Sequence, residues 1–367
     1  MPVPLFDTKA PLAPLRGEID AAIGAAIDDG RFVLGPNVAS FEEEFAAHVG
    51  ANHAIGVANG TDALTIALRA MGVRPGDEVV VPSFTFYASA EAIPPTGARP
   101  VFCDVDPDTF CVTADTVRAA LTPRTKAVMV VHLFGNVAPV AEIEALGLPV
   151  LEDAAQAAGS LTQAGRPGSL ATAATFSFFP SKNLGCFGDG GAITTRDAEI
   201  ADRARMLRFH GSWDKVTYEH VGYNSRLDDI QAAILRVQLP HLDDWATGRR
   251  AAGEHYRDAG LGELVGLPCP VEGVDPAWHL YVVRSDRADE LAAGLAQREI
   301  GHKAYYRTPV HRQPAMWPFA QGVELPATDE LARTHLAVPM SPVLERQAVD
   351  EVVAAVHESL GAATFNG

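Results

Sequence analysis

The sequence predicts an α/β fold, with a mostly parallel central sheet covered by helices on both faces and a smaller C-terminal α+β domain. Three observations lead to this prediction. Short apolar runs alternate with helical patterns through the first part of the chain, and such alternation is typical of parallel sheets. Polar side chains follow successive apolar runs, as they do where ligands bind at strand ends. The pattern of elements then changes near residue 240.

The elements of the larger domain are read from short apolar and β-branched runs, which predict strands, and from helical spacing between them. The predicted strands are residues 54–58, 78–81, 100–104, 127–132, 150–152, 174–178 and 192–195. The predicted helices between them include residues 61–71, 113–120 and 140–145. Strand and helix in this order predict a doubly covered sheet.

A change of pattern predicts the domain boundary. Helical spacing begins at Leu227 and continues until Pro240, and proline disrupts a helix interior. A further helical pattern at residues 249–256 is followed by mixed helical and loop segments. We therefore predict a large domain at residues 1–240 and a small C-terminal domain at residues 241–367.

The composition argues against several classes of partner. The 367 residues carry a formal net charge of -17, and this negative charge disfavours the binding of nucleic acid. The four cysteines are scattered without a CxxC pair, so we expect reduced thiols and no zinc site. The apolar stretch around His132 is interrupted, and the first residues lack the pattern of a signal peptide. We therefore expect a cytoplasmic protein with no metal, nucleic-acid or membrane partner.

Polar or unusual side chains stand at the ends of successive predicted strands. In open α/β sheets, ligands bind beyond the carboxyl ends of parallel strands. The residues at these ends are Asn59, Gly60, Thr61 and Asp62; residues 83–87; Asp104 and Asp106; His132; Glu152 and Asp153; and Ser177 with Lys182. Their common position predicts one binding site at that edge of the sheet.

Three of these positions indicate particular chemistry, each beside a plainer interpretation. The turn at Asn59 and Gly60 either caps the next helix or offers N–H groups to an anion. Asp153 either caps a helix or holds a cationic ring nitrogen by a charge-assisted hydrogen bond. Lys182 is either a surface lysine or a desolvated amine that attacks carbonyl groups. Taken singly, these residues leave both interpretations open.

A series of longer motifs covers most of the chain, from about Pro4 to Val356. In order they are NGTDAL, PSFTFYASA, VHLFG, LEDAAQAAGS, FSFFPSKNLGCFGDGGAI, GYNSRLDDIQAAIL, AWHLYVVR and TPVHRQPA. As a set they resemble the sugar aminotransferases of the DegT/DnrJ/EryC1/StrS family, which have the aspartate-aminotransferase fold, fold type I. The resemblance implies a pyridoxal 5′-phosphate (PLP) cofactor that alternates with its pyridoxamine form (PMP).

The resemblance also implies roles for the matching residues. Lys182 would hold the cofactor as a Schiff base and carry protons, and Asp153 would keep the pyridine nitrogen protonated. The other implied cofactor contacts are Gly60, Thr61, Asp62 and Ser177 at the phosphate, Phe86 on the ring face, Gln156 near the phenolic oxygen, and Asn224 from a neighbouring subunit. Implied substrate contacts are Arg226, Tyr305, Tyr306 and His311. The active site would then require a homodimer, although Phe86 as a core aromatic and Asn224 as a turn residue are the plainer alternatives.

The implied reaction is a ping-pong transamination from glutamate to a nucleotide-linked keto sugar. The loop after the lysine, NLGCFGDGGAI, resembles family members that act on 3-keto sugars, so we expect a 3-keto substrate. Two positions depart from the family. Tyr305 stands where many relatives have histidine, which leaves the identity of the sugar open, and Ala158 also replaces a common histidine.

Other functions are alternatives at this point. The acceptor could be a 4-keto nucleotide sugar or a keto-cyclitol. Related dehydratases carry histidine in place of the lysine, so Lys182 argues against that activity. A regulatory protein of the same fold would need neither Lys182 nor Asp153, and both are present.

Overall fold

The computed structural model describes residues 2–361 of the chain. Its strands are β1 (His53–Val57), β2 (Glu78–Pro82), β3 (Arg99–Cys103), β4 (Thr125–Val131), β5 (Val150–Asp153), β6 (Leu161–Thr162), β7 (Ala173–Ser177), β8 (Gly191–Thr195), β9 (Val274–Asp275), β10 (Tyr281–Arg284) and β11 (His335–Val338). Seven of them form the main sheet in the order β1-β8-β7-β5-β4-β2-β3. Only β8 in that sheet runs antiparallel to its neighbours. The prediction of a mostly parallel sheet is confirmed.

The helices alternate with these strands and then dominate the C-terminal part. They are α1 (Arg16–Asp29), α2 (Pro36–Val49), α3 (Gly60–Ala70), α4 (Ala88–Glu91), α5 (Ala114–Ala120), α6 (Val140–Glu144), α7 (Ala198–Arg208), α8 (Asp229–Gln238), α9 (Leu242–Asp258), α10 (Ala288–Gln297), α11 (Pro326–Thr334) and α12 (Arg346–Leu360). Among residues 2–361, no helix has both the length and the apolar character needed to cross a membrane.

Helices cover both faces of the main sheet, as predicted. Successive side chains of a strand point to opposite faces, and β4 shows how both faces are used. Met129 packs in the cluster that contains residues of α3 and α7. Val128 and Val130 pack in a second cluster with Val117 of α5 and Ile143 of α6. Because the strand is buried on both sides, it is a continuous apolar run in the sequence.

The C-terminal part has its own apolar cluster around the antiparallel pair β10 and β11. α9, α10 and α12 supply most of the remaining residues of that cluster, which agrees with the predicted α+β character. A short turn with Pro240 separates α8 from α9. Val3 packs in the same cluster, and its carbonyl accepts the N–H of Gly301 at 2.7 Å. The N-terminal segment therefore contacts the C-terminal part, and the division at residue 240 stays a prediction.

Two of the polar strand ends support the fold and do not line the ligand pocket described below. The carboxylate of Asp104 accepts the N–H groups of Ala327 and Thr328 at 3.0 and 2.8 Å, so it caps the first turn of α11. His132 is fully buried, and its Nδ1 accepts the N–H of Ala138 at 3.1 Å. The sequence placed Asp104 and His132 at the correct edge of the sheet, but tertiary partners take up their polar atoms.

Glu152 at the end of β5 is a third polar residue that supports the fold. Its carboxylate is fully buried and accepts N–H groups from Gly168, Leu170 and Ala171 at 3.2, 3.0 and 3.0 Å. The Nε2–H of His132 lies 2.8 Å from the same carboxylate. One side chain therefore holds the loop before β7 against β5, and this loop leads to the strand that carries Ser177.

We expect Glu152→Gln to destabilise the protein by about 1–3 kcal/mol, since an amide cannot satisfy donors that a carboxylate accepts on both oxygens. The measurement is urea unfolding followed by circular dichroism. Glu142→Gln, at an exposed position of α6, is the matched control and should change stability by less than about 0.5 kcal/mol. Equal effects of the two substitutions would contradict the structural role of Glu152.

Candidate active site

A pocket of about 690 Å³ opens at the carboxyl ends of the parallel strands. Its volume lies in the range of small-molecule and cofactor sites. Ten of the residues that the sequence singled out line it: Gly60, Thr61, Asp62, Phe86, Asp153, Gln156, Ser177, Lys182, Tyr305 and Tyr306. They come from five separate stretches of the chain, so the fold brings them together.

The first part of the pocket wall is the start of α3. The side chain of Asn59 accepts the N–H of Asp62 at 2.8 Å, so Asn59 is a true N-cap. The N–H groups of Gly60 and Thr61 belong to the first helical turn and have no partner within the helix. A Cβ on Gly60 would lie 2.8 Å from the Cβ of Ser177, so only glycine fits. The cap is confirmed, and anion binding by the remaining N–H donors stays a prediction.

The carboxylate of Asp153 lies at the end of β5 and is buried in the pocket wall. Ser89 donates its hydroxyl to Asp153 Oδ2 at 2.7 Å, and the N–H of Ala155 reaches Oδ1 at 3.2 Å. Burial raises the pKa of Asp153, while these hydrogen bonds and the nearby Lys182 lower it. The carboxylate is thus oriented by two donors and retains acceptor capacity toward the pocket.

Lys182 follows β7 in a turn where its N–H reaches the carbonyl of Phe179 at 2.8 Å. Burial lowers the pKa of Lys182 to about 8, although the charge of Asp153 acts in the opposite direction. Among residues 2–361, no acceptor is hydrogen-bonded to its amino group. About half of this amine is therefore unprotonated near pH 8, against less than about one per cent of an ordinary lysine, and the free amine is the form that attacks a carbonyl group.

An aromatic wall encloses the pocket beside Gln156. The oxygen Oε1 of Gln156 accepts the N–H of Phe134 at 2.7 Å, and its Nε2 donates to the hydroxyl of Tyr306 at 3.2 Å. Tyr306 stacks on Phe134 with 6.0 Å between ring centroids and 7° between planes. Phe86 is 57% exposed, and its ring centroid lies 6.5 Å from that of Tyr306. The plainer interpretation of Phe86 as a core residue is wrong.

Three of the predicted residues lie outside this pocket in their own chain. His311 is buried against β2, where its Nδ1 lies 2.6 Å from the hydroxyl of Ser83. Arg226 donates to the side chain of Asn224, and neither residue lines the pocket. The roles of Asn224 and Arg226 therefore stay predictions, whereas His311 has a local structural partner.

The sequence reasoning missed two polar groups of the site. Ser89 lies in the motif FTFYASA, and His279 lies in AWHLYVVR. The amide nitrogen of Asn183 donates to the carbonyls of Ala158 and Ala277 at 3.2 and 3.1 Å. Its oxygen therefore faces His279 Nδ1 at 3.3 Å and accepts from it. This leaves His279 Nε2 as an acceptor, and burial with the charges of Lys182 and Arg249 lowers the pKa of this histidine well below its usual range.

The comparison with known proteins agrees with this geometry. The model of the DegT/DnrJ/EryC1/StrS aminotransferase family matches residues 14–357. A curated relative, dTDP-3-amino-3,4,6-trideoxy-alpha-D-glucose transaminase of Streptomyces venezuelae, is 46% identical over 97% of this chain and 96% of its own length. Another, named as a pleiotropic regulatory protein of Geobacillus stearothermophilus, is 43% identical over 98% of both chains. The crystal structure of S. venezuelae DesV in complex with a ketimine intermediate superposes with a TM-score of 0.95, 45% identity and 99% coverage of both chains.

We expect the reactivity of Lys182 toward trinitrobenzenesulfonate, in protein freed of cofactor, to rise with a midpoint near pH 8. Ordinary lysines react with a midpoint near about pH 10.4. Asp153→Asn should move the midpoint of Lys182 to lower pH, because the substitution removes the negative charge that favours the ammonium form. Peptide mapping by mass spectrometry across pH measures both values, with the surface Lys9 and Lys126 as internal references. A Lys182 midpoint equal to that of the surface lysines would contradict its desolvation.

Proposed function

The chain belongs to the DegT/DnrJ/EryC1/StrS aminotransferase family, and from this we propose that it transfers an amino group from glutamate to a nucleotide-linked 3-keto sugar. The observation that supports this most directly is the pairing of Lys182 with Asp153 in one pocket. An amine with a lowered pKa and a buried, oriented carboxylate are the two groups that a pyridoxal-dependent transamination requires.

The residues of the pocket fit the cofactor PLP. A phosphate suits the start of α3, where Gly60 and Thr61 offer N–H groups and Ser177 a hydroxyl. A cationic ring nitrogen suits Asp153, which Ser89 and the N–H of Ala155 already orient. When bound, PLP supplies an electron sink for the electron pair left as a C–H bond breaks.

The roles of the protein groups follow from their placement. Lys182 would hold the cofactor covalently and, once released, move a proton between the substrate carbon and the cofactor. One amine can serve both directions because its pKa lies near the working pH. Asp153 would favour a protonated ring nitrogen through its own negative charge. Phe86 and Tyr306 present apolar ring surface that excludes water from the reacting atoms.

The substrate class is supported by the named relatives and by the size of the pocket. The S. venezuelae transaminase named above forms a sugar with its amino group at position 3, which agrees with the loop that follows Lys182. A pocket of about 690 Å³ has room for a sugar beside a cofactor. Tyr305 and Tyr306 line it on the side of the C-terminal part. A 4-keto nucleotide sugar and a keto-cyclitol are the alternative acceptors.

A regulatory function is the alternative to an enzymatic one, and one relative is named as a pleiotropic regulatory protein. That function alone would require neither a lysine with a pKa of about 8 nor a buried carboxylate beside it. Perturbed titratable groups that meet in a cleft are typical of active sites. The pocket therefore favours an enzyme.

We further propose a homodimer in which each subunit completes the active site of the other. The two ends of the segment from Gly211 to Gly222 are packed closely against each other, since a Cβ on Gly222 would lie 2.0 Å from the nitrogen of Gly211. It holds apolar side chains in solvent, with Trp213 54% and Val221 85% exposed. Exposed apolar groups on a well-anchored loop are typical of protein interfaces. Asn224 follows this segment, lies outside the pocket of its own chain and is exposed beside Arg226, a position that supports a contact with the pocket of a second copy.

Lys182→Ala should lower the rate of amino transfer by about 10²–10⁴-fold or more, because the proton carrier and the covalent attachment are both lost. A panel of nucleotide 3-keto and 4-keto sugars with glutamate measures the rate and identifies the acceptor. The wild-type protein should show a yellow absorbance band that borohydride abolishes. Lys126→Ala, at an exposed lysine of β4, is the control and should retain both properties. A Lys182→Ala protein with normal turnover would overturn the proposal.

Mixing two inactive variants tests the shared site. Lys182→Ala and Asn224→Ala subunits, unfolded and refolded together in equal amounts, should recover about a quarter of the wild-type activity. Half of the randomly formed dimers are hybrids, and each hybrid has one intact site of two. Each variant refolded alone is the control. No recovery from a mixture that contains hybrid dimers would contradict the role of Asn224 across the interface.

A further inference from the structure

Arg249 of α9 is a buried cation without a counter-ion. It is 7% exposed, and its Nη1 donates to the carbonyl of Trp278 at 3.2 Å. Its Nε is buried and has no hydrogen-bond partner. Burial lowers the pKa of Arg249 to about 10, and no described carboxylate acts to raise it. The guanidinium is therefore charged at neutral pH and only partly satisfied, which is a costly arrangement in a folded protein.

A second cavity, of about 130 Å³, is lined by both Arg249 and Lys182. It shares Phe6, Ser181 and Lys182 with the larger pocket, so the two spaces are adjacent at Lys182. The volume is below the range of about 300–1,000 Å³ for drug-sized ligands, so it leaves room only for a much smaller molecule and none for a nucleotide. A ligand in the cavity would lie against both Lys182 and Arg249.

The charges around this cavity favour an anion. Burial lowers the pKa of the nearby His279, and the positive charges of Lys182 and Arg249 both act in the same direction. Asp7 is the carboxylate among the lining residues, and its Oδ1 already accepts the N–H groups of Lys9 and Ala10 at 2.9 Å each. Among residues 2–361, no hydrogen bond or ion pair joins Asp7 to Arg249, so the guanidinium retains donors for a ligand.

We propose that Arg249 binds a carboxylate of the amino donor, an amino acid whose amino group reacts beside Lys182. This inference rests on the proposed function and adds the location of the donor site. The planar guanidinium offers a fork of N–H donors that matches a carboxylate. The donor would occupy the small cavity, and the sugar nucleotide would occupy the large pocket. The two substrates of the ping-pong reaction would then bind in turn on different sides of Lys182.

The test measures binding as well as turnover. Glutarate, a dicarboxylate without an amino group, is titrated into the holoenzyme by calorimetry, and the KM values of glutamate and of the keto sugar are determined. Arg249→Met should weaken glutarate binding and raise the KM of glutamate at least tenfold, with the KM of the sugar changed less than twofold. Arg249→Lys should have a smaller effect. Arg250→Met is the matched control and should behave as wild type, because Arg250 donates to the hydroxyl of Thr247 and is not among the residues that line the cavity.

Thermal unfolding separates a folding defect from a binding defect. Replacing an unpaired buried cation with an apolar side chain is often neutral or stabilising, so Arg249→Met should melt no lower than the wild-type protein. Unchanged glutarate affinity in Arg249→Met, or no glutarate binding to a wild-type enzyme that transaminates sugars, would overturn the inference. Displacement of glutarate by thymidine diphosphate would also overturn it, by assigning the cavity to the phosphates of the sugar nucleotide. If glutarate binding depends on Arg249 but no keto sugar is aminated, the proposed function fails while the carboxylate site stands.

Discussion

The site depends on holding an amine and a carboxylate in one desolvated space without a direct bond between them. Burial opposes the charged form of each group, raising the pKa of Asp153 and lowering that of Lys182 to about 8. Their mutual attraction acts the other way in both cases. The balance leaves an amine that can exchange a proton near neutral pH. Asp153 at the end of β5 and Lys182 after β7 come from adjacent strands of a parallel sheet, which is why such a pair can form at its carboxyl edge.

A second layer of contacts fixes these groups. Ser89 donates to Asp153, and Thr85 lies 3.0 Å from the hydroxyl of Ser89. Gln156 connects Phe134 with Tyr306, and both of these residues have positive φ, 59° and 66°. Non-glycine residues adopt such angles at an energetic cost. The hydrogen bonds of the buried Gln156 side chain and the ring stacking offset this cost here, and they hold this part of the pocket wall in one defined shape.

The C-terminal part contributes more to the site than its distance in sequence implies. His279, Tyr305 and Tyr306 line the large pocket, and Arg249 lines the smaller cavity. The N-terminal segment joins both parts, since Phe6 lines both spaces and stacks on His279 with ring centroids 5.9 Å apart. Because three distant regions meet at Lys182, a relative movement of the C-terminal part would change the shape of both spaces together.

The sequence by itself determined the elements and the edge of the sheet where the chemistry lies. Alternating apolar runs and helical spacing are local patterns, so they placed β4, α3 and the turn at Gly60 close to where the structure has them. The resemblance in motifs then singled out Lys182 and Asp153. The antiparallel direction of β8 and the packing of Val3 on the C-terminal cluster did not follow from those patterns.

Only the tertiary structure decided which polar residues face the pocket. Asp104, His132 and Glu152 occupy the same edge as Asp153, but a helix N-terminus, a neighbouring strand and a loop use their polar atoms. The environments of His279 and Arg249 are set by contacts with residues 96 and 29 positions away in sequence. No local periodicity encodes such contacts. The face of the sheet to which a strand residue points is a local property of the sequence. The partner that its side chain contacts depends on how distant elements pack. In this protein, that packing separates structural groups from reactive ones.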